Sequence, residues 1–172
     1  MDAQQAVDAG LELLEQGRRD EALERFEHAL GLDPQHGQAW FVKGCVISES
    51  GRVRDAAQCY LQALQHAPGY AGLILFNLGN CFRDLDEPER ALECFESVIE
   101  LEPENADAWI NQGVVLDRLG RAEEAIACYD KAIRLAPNDV DAWANRGNCL
   151  RALREFADAL ECYETALQFK PE

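Results

Sequence analysis

The chain has one methionine, three histidines, three serines and one threonine among its 172 residues, and each scarcity closes off a class of chemistry. His28, His36 and His66 stand in unlike local contexts, so neither a metal-ligand cluster nor an acid–base pair follows from them. Ser48, Ser50, Ser97 and Thr165 lack a His and an acid at a spacing that would activate a hydroxyl. No glycine-rich phosphate loop opens any helical stretch. The chain is therefore expected not to be an enzyme, to have no catalytic or metal residues and to need no cofactor.

Basic residues are also few. Sixteen Lys and Arg against 32 Asp and Glu leave a formal charge of −16. That balance repels nucleic acid and anionic lipid and favours neutral to basic protein or peptide partners. No stretch approaches the ~20 apolar residues of a membrane span, so no membrane insertion is expected. Met1 to Gly10 carries no secretory signal. With seven cysteines, an odd number, and no Cys-x-x-Cys pair, the expected location is cytoplasmic and the thiols reduced.

What the chain does have is one sentence repeated. Trp109, Gly113, Leu116, Ala125, Tyr129, Ala132 and Pro137 recur 34 residues later as Trp143, Gly147, Leu150, Ala159, Tyr163, Ala166 and Pro171. Upstream the same columns read Leu75, Gly79, Phe82, Ala91, Phe95, Val98, Pro103, and before that Trp40, Gly44, Ile47, Ala56, Tyr60, Ala63, Pro68. The first copy is the most worn, with Ala6, Gly10, Leu13, Ala22, Phe26, Ala29 and Pro34. One extra residue falls near Tyr70. Five copies at this period predict a solenoid whose repeats are about 3–36, 37–71, 72–105, 106–139 and 140–172, within one domain spanning 1–172.

Each copy reads as two helices. In the fourth, Trp109, Gly113, Leu116 and Leu119 share one helix face, Gly120 interrupts it, and Glu123 and Glu124 suit the positive end of a second helix. Its apolar stripe is Ala125, Ile126, Tyr129, Ala132 and Ile133, and Pro137 stops it. Small Gly113 and Ala125 are expected to let the two backbones approach. A lone hairpin cannot bury both of its faces, so stacking follows.

The period and these columns resemble the tetratricopeptide repeat (TPR) family across essentially the whole chain. The resemblance implies an all-α, right-handed α-solenoid of five helix-turn-helix hairpins that serves protein–protein interaction. Departures from the family pattern are Ala6 and Leu75 at the Trp column, Asp86 and Arg154 at the turn Gly, and Lys43, Gln112 and Arg146 where Leu is usual. Cys59, Cys94, Cys128 and Cys162 occupy one column, a repeat apart, and read as small packing residues, as do Cys45, Cys81 and Cys149.

In such a fold the first helices line a concave groove. Two residues past the Trp column stand Asn77, Asn111 and Asn145, and three further on stand Asn80 and Asn148. A carboxamide both donates and accepts, so such a column can hold the main chain of an extended peptide whatever its side chains. It is similar to the asparagine ladder in the TPR superhelix of the O-linked N-acetylglucosamine transferases, though Asp8 and Val42 hold the first two places here. The other reading is a polar residue tolerated on an exposed helix face.

Beside the column, Phe41, Leu73, Phe76 and Ile110 are expected as apolar contacts, and Asp107, Asp117 and Asp141 as attractors of basic residues. The Lys and Arg set by which some TPR proteins clamp chaperone tails is absent. The acids of the second helices, among them Glu21, Glu24, Glu27, Glu89, Glu93, Glu96, Glu155, Asp158, Glu161 and Glu164, read as a solvated face.

The expected function is binding of an extended or helical peptide segment in the groove. The alternatives are a scaffold self-associating through an uncapped last hairpin, and a substrate-recruiting arm of a larger enzyme. No polar capping helix follows Pro171, so the sequence leaves open a fragment of a longer protein or a docking end.

Overall fold

The computed structural model describes residues 1–169, and these contain ten α-helices and no strand. Contacts divide the chain into two compact units, Met1–Asp86 and Glu87–Glu172. The first holds α1 (Ala3–Glu15), α2 (Arg19–Leu32), α3 (Gly37–Glu49), α4 (Val53–His66) and α5 (Ala71–Asp84). The second holds α6 (Pro88–Leu101), α7 (Ala106–Arg118), α8 (Ala122–Leu135), α9 (Val140–Ala152) and α10 (Phe156–Phe169). Pro171, the fifth member of the proline column, lies outside the described residues.

Two kinds of helix start alternate. Four first helices carry a side-chain cap, while α5, entered from Tyr70, has none: the carboxylate of Asp2 accepts from Gln5 N–H, His36 Nδ1 from Ala39 N–H at 3.2 Å, Asn105 from Ala108 N–H at 3.0 Å, and Asp139 from Ala142 N–H at 2.7 Å. Each satisfies one of the amides a helix start leaves unpaired. α2, α4, α6 and α8 have no such cap. Three of them follow an arginine that pairs with an acid in their first turn: Arg18 with Glu21, Arg52 with Asp55 at 2.7 Å, and Arg121 with Glu124 at 2.6 Å. The glycine before each of those arginines has φ near +75° (Gly17, Gly51, Gly120). Asp86 and Arg154 take the same left-handed turn at φ 61° and 66° despite their Cβ.

The hairpins close through one recurring contact. A Cβ placed on Gly113 would lie 2.6 Å from the ring of Tyr129, one on Gly147 2.7 Å from Tyr163, and one on Gly44 2.8 Å from Tyr60, while Gly10 faces Phe26 in the same way. Gly113 thus meets the Tyr129 ring, which fills the space that a side chain on the first helix would need. Ala22, Ala56, Ala91, Ala125 and Ala159 of the second helices are at most 2% exposed, and the rings of Phe26, Tyr60, Phe95 and Tyr129 are equally covered.

A second contact ties three of the hairpins to the loop before them. The indole N–H of Trp40 donates to Pro34 O at 2.9 Å, Trp109 to Pro103 O at 3.0 Å, and Trp143 to Pro137 O at 2.8 Å. The Trp and Pro columns are therefore partners across the loop. The extra residue near Tyr70 is absorbed in a short 3-10 turn, Pro68–Tyr70.

Gly113→Ala gains helix propensity but forces the Tyr129 ring aside, and should lower stability by about 1–2 kcal/mol in urea unfolding. Gly31→Ala, on α2 with nothing near its added Cβ, should instead raise stability by roughly 0.5–1 kcal/mol. Arg154→Gly relieves a left-handed residue and should raise the thermal midpoint, by an equivalent of about 1 kcal/mol. A fall in that midpoint would show that Arg154 makes a compensating contact.

Candidate functional site

In the first unit the candidate residues sit on α3 and α5. Phe41 is half-buried, tilted against Tyr60 with ring centroids 6.1 Å apart, and stacked on Tyr70 at 6.1 Å with an interplanar angle of 14°. Tyr70 is 47% exposed and Leu73, three residues on, is 50% exposed. This is an aromatic and aliphatic surface in which Tyr70 had no place in the sequence reading; it lies in the inserted turn, off every column. Phe76, Asn77 and Asn80 on α5 are half-buried. Asn77 Nδ2 donates to Leu73 O at 3.1 Å, a bond one turn back along its own helix.

In the second unit Asn111 Nδ2 makes the same backward bond, to Asp107 O at 2.8 Å. These bonds fix the carboxamides along their helices and turn Oδ1 away from the bonded carbonyl. Asn145 is half-buried on α9. Asn148 Oδ1 accepts from the Tyr163 hydroxyl at 2.9 Å, so this asparagine fastens α9 to α10. Ile110 is only 9% exposed, which corrects its reading as an open apolar contact: one step past the Trp column its side chain is in the core. Asp107, Asp117 and Asp141 are exposed carboxylates, Asp107 and Asp141 in the first turns of α7 and α9, where the helix dipole favours negative charge.

The residues that broke the repeat pattern turn out to form a column of their own. Lys43 Nζ binds Glu27 of α2 at 3.0 Å and lies 5.7 Å from the Trp40 ring centroid. Arg146 Nε binds Asp130 of α8 at 2.7 Å, and its Nη1 donates to Cys162 Sγ at 3.0 Å. Gln112 Oε1 accepts from Cys128 Sγ at 3.3 Å. Each polar head thus has a partner where the second helix offers a thiol or the preceding one an acid. Lys43 and Trp40 edge a crevice of about 400 Å³ with Leu23, Glu27, Ile47 and Cys59, and Arg146 and Trp143 edge the corresponding one of about 330 Å³ in the second unit. A spacing rule built on Leu could not foresee these pairs.

Comparison with known proteins places the chain among relatives. A family model described as Tetratricopeptide repeat matches residues 7–71 and 76–140, and a second of the same description matches 140–172. The Protein CTR9 homolog of Arabidopsis thaliana is 30% identical over 109 residues, 63% of this chain and 10% of that protein. The chain spans about a tenth of the length of the first curated relatives it matches. Among solved structures, MamA superposes with TM-score 0.88 at 22% identity, covering 93% of each chain. YrrB, described as a TPR protein with an unusual peptide-binding site, superposes with TM-score 0.89 at 23% identity, covering 99% of this chain and 88% of its own. The fold is an all-α TPR solenoid. No helix among the described residues is long and apolar enough to cross a membrane.

The remaining reactive groups are thiols. All seven cysteines are free; six are buried and Cys45 is half-buried, as packing residues should be. Burial, followed by the hydrogen bond to Asp117, pushes Cys149 up to about 12, and burial pushes Cys81 and Cys128 up to about 11. The folded chain holds these protons more tightly than the unfolded one. Their contribution is therefore intact below the ordinary thiol value of 9.0 and is lost as pH climbs through the folded values. The urea midpoint should fall between about pH 9 and pH 12, and fall less steeply in Cys149→Ala. Equal slopes in the two proteins would remove Cys149 from that account.

Proposed function

This chain belongs to the tetratricopeptide repeat family, and from that premise we propose that it binds peptide segments of a partner protein on the outward columns of its first helices. The family and the fold support a non-catalytic protein-interaction module. The observation that carries the finer reading is the surface of Phe41, Tyr70 and Leu73 in the first unit. There Tyr70, stacked on half-buried Phe41, and Leu73 stay open to solvent in a chain that has no buried polar or charged residue among those described. Apolar side chains of a partner gain most at such a surface, at about 25 cal/mol for each Å² covered.

Asn77 and Asn80 in the first unit, and Asn111 and Asn145 in the second, supply carboxamides for a partner's main chain. Asp107, Asp117 and Asp141 favour Lys and Arg in that segment, in keeping with the net charge of −16. Peptide is also the ligand class described for YrrB, whose fold the chain shares. Phe76 flanks Asn77 and belongs to the apolar set; Ile110 and Asn148 do not belong to the contact set, because one is buried and the other is engaged with Tyr163.

The test is selection of binding peptides from a random display library, followed by titration of the best sequence. Peptides should be enriched in apolar residues with Lys or Arg, and affinity should weaken as salt rises. Leu73→Gln with Tyr70→Ala should cost about tenfold in affinity, and Asn111→Ala with Asn145→Ala about as much, with helicity unchanged in both. Peptides that bind both variants as well as wild type would place recognition on another face.

A further inference from the structure

We infer that the outer face of α4 docks a second copy of this chain, the two copies meeting about a two-fold axis with each Leu61 seated in the other's crevice. This face is separate from the columns of the first helices. Arg54, Gln58, Leu61 and Gln65 follow a four-three-four spacing, which lines them along one side of α4, and all four are exposed. In the register of the first three of these, α2 carries Asp20, Glu24 and Glu27, and α6 carries Glu89, Glu93 and Glu96, all exposed. Leu61 departs furthest from the repeat. The other four second helices hold an acid in its column, namely Glu27, Glu96, Asp130 and Glu164, whereas Leu61 is apolar and 36% exposed.

Beside Leu61 the surface opens into the crevice of about 400 Å³, with Gln58 and Gln62 at its edge and Trp40, Ile47 and Cys59 along it. The crevice lies where Lys43 replaces the usual Leu and sends its ammonium to Glu27. At the same register on α5 stands Leu78, which is 2% exposed. A leucine side chain is thus what the fold itself puts at that place, and Leu61 of a second copy supplies one.

Charge selects the occupant. On a chain of −16 a basic partner is drawn to the acidic faces, while an acidic body gains by choosing a neutral one. A second copy is such a body. The single acid of α4 is Asp55, already paired with Arg52 at 2.7 Å. α4 laid on another α4 therefore sets no free carboxylates of that helix together, whereas α2 on α2 or α6 on α6 would. Carboxamides both donate and accept, so Gln58, Gln62 and Gln65 of one copy are complementary to those of the other under a two-fold operator. Because Leu61 lies at the edge of its own crevice, one such operation seats both leucines. The face is in the middle of the chain, between α3 and α5, so its exposure does not come from a chain end.

Sedimentation equilibrium of the full chain over a wide range of concentration tests this. The chain should pass from monomer to dimer, and added salt should tighten the dimer by screening the repulsion between two acidic bodies. Leu61→Glu places in α4 the acid that the other second helices carry, so helicity should hold while the dimerisation constant weakens by about tenfold or more. Leu101→Glu, which adds the same charge at an exposed position of α6, should leave the dimer nearly unchanged. A monomer at every concentration, species larger than a dimer, a dimer that Leu61→Glu leaves intact, one that Leu101→Glu weakens equally, or one that salt dissolves would each overturn the proposal.

Discussion

Everything in this molecule rests on a missing side chain opposite a ring. In four hairpins a glycine of the first helix faces the aromatic residue sixteen positions on, and the ring occupies the volume that a methyl group would need. The contact sets the distance between the two helices, and that distance in turn buries the alanines of the second helix. Aromatic surface supplies the apolar area, while glycine supplies the approach; neither is sufficient alone. Because the unit repeats, the same local solution is used again and the core becomes a ribbon of like contacts.

A ribbon core has consequences for polar residues. α3, α7 and α9 are each flanked by their own second helix and by the one before, so a side chain between them must find partners or leave. Arg146 answers by reaching Asp130 on one side and the Cys162 thiol on the other. Lys43 holds its ammonium over the Trp40 ring and on Glu27. A long side chain with an apolar stem can serve where Leu is usual, provided the preceding second helix offers an acid. That dependence ties the identity of one repeat to that of its neighbour, which a consensus for a single repeat does not express.

The period, the helix hairpins and the glycine and aromatic columns were legible in the sequence because they are local and recur in register. The partner of each glycine was not, since spacing along a helix says which residues share a face but not which atom fills the space before it. The Trp to Pro hydrogen bond depends on the path of the loop between hairpins, and no pattern of apolar residues encodes that path. The burial of Ile110 is hidden for a related reason: in a stack, a residue one step from the Trp column can be covered, so facing away from the hairpin core is not the same as facing water. Tyr70 is not legible as a contact residue because the insertion takes it off every column.

This last case bears on where recognition can arise in such a fold. Columns are constrained by stacking, so a residue in register is first an element of the core or of the helix faces beside it. Departures from register are free of that duty. Tyr70 stacks on Phe41 from a 3-10 turn that no other connection in the described chain contains, and it gives the first unit a surface the second unit does not repeat. Repetition provides rigidity, and the irregular turn provides individuality. Specific contacts in a repeat chain are therefore best sought where the period slips, with the regular columns beside them supplying the hydrogen bonds and charge that any peptide can use.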